Sequence, residues 1–356
     1  MGSDTNVTGM PVLKPESIAP DLPPLPSQPA DMPWPTRGWQ KADPAPADAV
    51  RFGQLADEIF DLEGGARGVT YALLAIKGGE LVYERYDHGA NAFYLQYSWS
   101  MAKSVTQALA GILVKQGKLD IYAPAPVPEW QHDERRAITL DQLLRMSSGL
   151  KFNEDYVDGE ASDVIPMLQF EGRHDTGAFA ANMPLIHEPG THWSYASGTT
   201  NIICRILRDV VGGGASGMLR FMNDELFEPI GIRSATPKFD TAGTFIGSSY
   251  LLMTPQDFAR FGLLYLRGGT WEGQEILPAE WVDYARSPTY ADAEQCYGAQ
   301  WWMKPDETGV FYCGGYDGQR IACFPEQDVV MVRLGRTPVD QVPWVWERYY
   351  EMARLL

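Results

Sequence analysis

Ser100-Met101-Ala102-Lys103-Ser104-Val105-Thr106-Gln107-Ala108-Leu109-Ala110-Gly111-Ile112-Leu113-Val114-Lys115-Gln116-Gly117 places a hydroxyl and an amine three residues apart at the start of an apolar run. Met101, Val105, Leu109, Ile112 and Leu113 recur at helical spacing, and Gly117 suits a C-terminal cap. The pattern predicts a helix over Ser100–Gln116, and Ala102, Ala108 and Ala110 widen its apolar face until it is buried on most sides. Residues i and i+3 share a helix face, so the side chains of Ser100 and Lys103 can meet. A lysine whose charge is disfavoured can take a serine's proton, which makes a nucleophile without histidine. Taken alone, the pair reads more simply as a serine N-cap followed by a solvated lysine.

Working outward, residues 10–48 are rich in proline (Pro20, Pro23, Pro24, Pro26, Pro29, Pro33, Pro35, Pro44 and Pro46) and read as an extended arm, disordered or lying across the body. A helix is expected over 49–62. Tyr71–Lys77 and Glu80–Tyr86 flank Gly78-Gly79, which reads as a β-hairpin. Short helices are expected at 139–146 and 199–211, and a longer one at 254–268. Sheet character returns at Arg320–Phe324 and Asp328–Leu334, and an aromatic helix closes the chain over 342–356. Strands at both ends with helices between predict an α+β fold, an antiparallel sheet flanked by helices and split by a helical insert. The expected division is an arm at 1–48, a sheet domain from 49–120 and 250–356, and a helical domain at 121–249 with the site at their interface.

Hydrophobic residues make up 45% of the 356, enough for a sizeable core, and 46 acidic against 29 basic residues give a net charge of −17. Such a surface repels nucleic acid and anionic membranes. The four cysteines (Cys204, Cys296, Cys313, Cys323) have no metal-like spacing, and neither Cys-x-x-Cys nor His-Glu-x-x-His occurs, so no metal or other cofactor is expected. No run approaches the length of a membrane span. No basic start leads into an apolar stretch, so the expected compartment is cytoplasmic, or periplasmic if a leader has been removed. The oligomeric state is left open.

Two further stretches carry chemistry. Trp193-Ser194-Tyr195-Ala196-Ser197 sets a tyrosine among small polar residues just before a helix. A phenol becomes a useful base when a neighbouring ammonium stabilises the phenolate, and Lys103 can supply that charge. Cys313-Gly314-Gly315-Tyr316-Asp317-Gly318-Gln319 leads into a strand, and its glycines let backbone approach a ligand and offer N–H groups to a developing oxyanion. No Gly-x-Ser-x-Gly elbow occurs, which argues against a Ser-His-Asp hydrolase. His192, in a loop near Tyr195, is the histidine placed to reach a pocket.

Ser-x-x-Lys, a Tyr-x-Ser about a hundred residues later and a glycine-rich strand near the end together resemble the penicillin-recognising serine hydrolases. The branch they resemble is that of class C β-lactamases, family VIII carboxylesterases and 6-aminohexanoate-dimer hydrolases. Leu143-Leu144-Arg145-Met146-Ser147-Ser148-Gly149-Leu150 is similar to the family's Leu-Leu-x-x-x-Ser-Gly-Leu. Asn153–Asp158 looks like a stretch of the nylon-oligomer enzymes, and Tyr297–Trp302 before the glycine-rich strand is also typical. The resemblance covers residues 50–356. It implies that Ser100 accepts the acyl group, that Lys103 shares its proton, and that Tyr195 is the partner base and later the acid for the leaving group. It also implies an oxyanion hole from the backbone N–H groups of Ser100 and Tyr316, with Tyr156, Ser197, Gly315 and Trp301 contacting substrate.

The chain departs from that pattern twice. Ser197 replaces the Asn of Tyr-x-Asn, and Cys313-Gly314-Gly315 replaces Lys-Thr-Gly, removing the cation that holds a β-lactam carboxylate. The expected activity is therefore hydrolysis of esters or linear amides of small substrates through an acyl-enzyme. β-Lactamase, D-amino-acid peptidase and a non-turnover penicillin-binding sensor are the alternatives. Arg320 lies close in sequence to the missing cation, but its facing is not fixed by the pattern.

Overall fold

A computed structural model describes residues 13–60, 67–155, 161–304, 306 and 308–356. Six antiparallel strands form the main sheet: β1 (Val69–Lys77), β2 (Glu80–Tyr86), β3 (Trp302–Met303), β4 (Phe311–Gly315), β5 (Gln319–Phe324) and β6 (Val329–Arg336), in the order β2-β1-β6-β5-β4-β3. The hairpin expected around Gly78-Gly79 forms, with both glycines at positive φ (58° and 86°) and Lys77 paired with Glu80. That turn is one only glycine enters without strain.

Alternation along the strands makes two cores. Leu73 and Ala75 of β1, Ala322 and Phe324 of β5 and Met331 of β6 face one side. There they meet helices α1 (Ala49–Phe60) and α5 (Val342–Leu355). Ala72, Leu74 and Ile76 of β1 face the other side. They join the larger core with α2 (Ala102–Lys115), α3 (Ser197–Val211) and α4 (Pro255–Leu266). The α+β class is the expected one. α2 is buried at every residue from Ala102 to Val114, and Gly111 is needed there because a Cβ would lie 2.3 Å from Trp281 Nε1. Among the described residues no helix is long and apolar enough to cross a membrane.

The proline-rich arm lies across the body, for a reason its composition supplies. Apart from local turns at Lys14–Ile18 and Pro29–Met32, extended proline-rich backbone bonds little within itself, so its other carbonyls need outside donors. Largely buried arginines provide them. Arg145 Nη2 donates to Ser17 O (2.8 Å), Arg286 Nη2 to Pro23 O (2.7 Å), Arg267 Nη1 to Pro26 O (3.3 Å) and Arg260 Nε to Pro35 O (2.9 Å). Trp34 packs on Trp271 with centroids 4.7 Å apart. The arm ends by pairing with β2, Leu81 N donating to Gln40 O at 2.9 Å, which covers part of an otherwise bare sheet edge.

Candidate active site

α2 begins two residues later than the sequence pattern suggests. A 3₁₀ turn, Trp99–Met101, precedes it, so Ser100 sits inside that turn rather than at the helix N-cap. Trp99 has φ +44°, a left-handed conformation that costs a bulky residue about 1–3 kcal/mol. Ser98 holds it there: fully buried, it donates through Oγ to Trp99 O (2.9 Å) and through N to Leu251 O (2.8 Å). The bend leaves Ser100 half-buried at the surface of the core, one turn before Lys103.

Lys103 is 1% exposed. Its Nζ lies 3.0 Å from Ser100 Oγ, 3.0 Å from Ser197 Oγ and 2.9 Å from Ser248 O. Burial pulls its pKa down to about 8, against the opposing pull of the Glu154 carboxylate. The ring of Tyr195 faces the same amine, 4.8 Å from centroid to Nζ. It packs on Trp302 (5.2 Å) and edge-on to Tyr297 (5.7 Å). Ser100, Lys103, Tyr195 and Ser197, separate in sequence, therefore converge on one ammonium.

The glycine-rich strand closes the third side. The β3–β4 ladder pairs Trp302 with Tyr312 and Met303 with Phe311, so the backbone of Gly314 and Gly315 runs on past it. A Cβ on Gly315 would stand 2.5 Å from Ser98 O, so this edge abuts the turn that carries Ser100, and only glycine permits the approach. Tyr316 follows it, half-exposed, with its ring 6.0 Å from Trp99. Tyr97 stacks on Trp99 at 5.4 Å, and Tyr250 lies 6.2 Å from Trp99, extending an aromatic wall away from Ser100.

One expectation fails. Trp301 is wholly buried against Phe261, Tyr265 and Phe311, a core residue with no surface for substrate. The residue beside Tyr195 is its neighbour Trp302, whose ring lies 5.2 Å away. Tyr156 lies outside the described residues. His192 stacks on His187 (4.1 Å), both exposed. Cys313 points inward, its buried thiol held far above the usual range. Arg320 stacks on Tyr312 (4.5 Å) and Trp346 (5.0 Å) towards α5, so it does not replace the missing cation.

The sequence reading missed Glu154. Its carboxylate accepts from Ser197 N and from Ser197 Oγ, both at 2.7 Å, at the first turn of α3. Burial pushes its pKa up, while Lys103 and the two Ser197 hydrogen bonds oppose the rise. Its only signal was its place in the Asn153–Asp158 stretch.

A family profile described as "Beta-lactamase" matches residues 54–343. The 6-aminohexanoate-dimer hydrolase of Paenarthrobacter ureafaciens is 28% identical over 333 residues, covering 85% of this chain and 83% of that protein. A Bacillus anthracis structure provisionally named a 6-aminohexanoate-dimer hydrolase superposes with a TM-score of 0.70 at 21% identity, over 93% of this chain and 90% of that one. A penicillin-binding protein of Bacillus halodurans superposes with a TM-score of 0.62 at 16% identity, over 84% and 99% of the two chains. The two structural matches bear on fold alone.

Proposed function

The chain belongs to the β-lactamase family of serine hydrolases, and on that premise we propose that it cleaves carboxylic esters or linear amides of small substrates through an acyl-enzyme on Ser100. The observation that carries the reading is the setting of Lys103. Two of its Nζ contacts go to Ser248 O and Ser197 Oγ, and the third goes to Ser100 Oγ. A neutral amine held this way accepts the Ser100 proton as Oγ attacks the acyl carbon.

The carbonyl electrons move to oxygen, where N–H groups at Ser100 and Tyr316 stabilise them. The intermediate collapses with loss of the C–O or C–N bond, and the Tyr195 hydroxyl gives its proton to the leaving group. Lys103 returns a proton to Tyr195. Water then attacks the ester on Ser100 by the same steps reversed. Apolar acyl or leaving groups suit the aromatic wall of Tyr97, Trp99, Tyr250 and Tyr316. The 6-aminohexanoate-dimer hydrolase relative favours including linear amides. Cys313 leaves a β-lactam carboxylate without its charge-assisted hydrogen bond, a loss of about 1.5–3 kcal/mol.

A panel of short acyl esters, linear aminohexanoate oligomers and a chromogenic cephalosporin, read against pH, tests this. Esters or linear amides are expected to turn over well ahead of the cephalosporin. Below a pH of about 8 Lys103 is an ammonium with no lone pair, so kcat/KM is expected to climb with pH through about 8. Cephalosporin turnover far above the others, or a flat profile from pH 6 to 9, contradicts the reading.

A further inference from the structure

We propose that Glu154 is a positioning residue: it fixes the direction of the Ser197 hydroxyl proton and thereby keeps the Lys103 lone pair aimed at Ser100. The inference rests on Lys103 being the base for Ser100. It follows from donor and acceptor accounting at three atoms. Ser248 O can only accept, so Lys103 Nζ donates to it. The Ser197 hydroxyl is shared between Lys103 Nζ at 3.0 Å and Glu154 Oε1 at 2.7 Å. An ionised carboxylate only accepts, so Ser197 gives its proton to Glu154 and must itself accept from Lys103. Two protons of the neutral amine are then spent, and its lone pair is left for Ser100 Oγ. The carboxylate is itself aimed by Ser197 N, a donor at the N-terminus of α3, where negative charge is favoured.

Were Glu154 neutral, Ser197 would be free to turn its proton onto Lys103 and occupy the lone pair. Among the described residues, the charged groups that act on Glu154 are Lys103, across Ser197, and Asp155 on its own segment. Tyr297, packed edge-on to Tyr195, feels its charge. A purely electrostatic role has the opposite consequence. Removing the Glu154 charge makes Lys103 easier to deprotonate, which raises activity at pH 7.

Glu154→Gln separates the two. Its amide oxygen must take the Ser197 N–H, which cannot accept, so its NH₂ faces Ser197 Oγ and drives that hydroxyl's proton towards Lys103. With p-nitrophenyl acetate as probe, kcat/KM for Glu154→Gln is expected to fall about 100-fold. Ser197→Ala is expected to lose less than tenfold. The double variant, with no hydroxyl to misdirect, is expected to recover at least tenfold over Glu154→Gln. A merely structural role gives no such recovery. Should Glu154→Gln fail to fold, Glu154→Asp keeps the acceptor and is expected to stay within about tenfold of the parent. Glu154→Gln at or above parental activity, a double variant no better than Glu154→Gln, or a 100-fold loss in Glu154→Asp overturns the proposal. If Ser100→Ala stays active, it is the nucleophile assignment that has failed; if Ser100→Ala is inactive, these outcomes bear on Glu154 alone.

Discussion

Lys103→Met is expected to lower kcat/KM for short acyl esters by about 10³- to 10⁴-fold while the protein still melts cooperatively near its parental temperature. The activity loss follows because Lys103 Nζ, 3.0 Å from Ser100 Oγ, is the amine that takes its proton, while the Glu154 carboxylate contacts Ser197 instead. The fold survives because the site burdens stability. A fully buried amine is disfavoured in its charged form, which is what pulls its pKa to about 8, and methionine fills similar volume without charge. Lys103→Arg is expected to be as inactive, since a guanidinium does not give up its proton at working pH. A loss of less than tenfold in Lys103→Met, read beside thermal melts, contradicts the assigned role.

Deleting residues 1–42 is expected to cost at least about 5 kcal/mol, seen as a fall in Tm on the order of 10 °C or as failure to express soluble protein. The arm's main contribution is polar. Arg260, Arg267 and Arg286 are each less than 9% exposed, and each loses an acceptor when the arm goes. Leaving a buried charged donor short of partners costs about 1–3 kcal/mol each. Trp271 also loses both its ring contact with Trp34 and the Thr36 Oγ1 that accepts from its Nε1. The edge of β2 is bared as well, so aggregation is expected to accompany the loss. Melting within a few degrees of the full chain contradicts this account of the arm.

The elements legible in the sequence were those whose periodicity is local. The Gly78-Gly79 hairpin, α3, α4 and α5 lie within a few residues of where spacing put them, because their apolar faces match the surfaces they bury. Ser100, Lys103, Tyr195 and Ser197 were legible as motif positions, but their convergence on one nitrogen is tertiary and came only from the packing of α2 against α3. The start of α2 was misread because Trp99 adopts a left-handed backbone that no propensity favours. Trp301 and Trp302 were indistinguishable by composition. Trp301 packs into the core just before the strand that Trp302 opens, and a two-residue strand carries too little pattern to show which one faces the site. Glu154 was missed for a different reason: the Asn153–Asp158 stretch marked the segment but not the residue, whose partner Ser197 lies 43 residues away.

The central claim is that Ser100 is the acyl acceptor. It is tested most directly by treating the full chain with a fluorophosphonate and mapping the modified peptide by mass spectrometry. The account predicts a single stoichiometric adduct on Ser100, absent from Ser100→Ala and formed faster as pH rises through about 8 with the deprotonation of Lys103. An adduct on another residue, or full ester hydrolysis by Ser100→Ala, contradicts it.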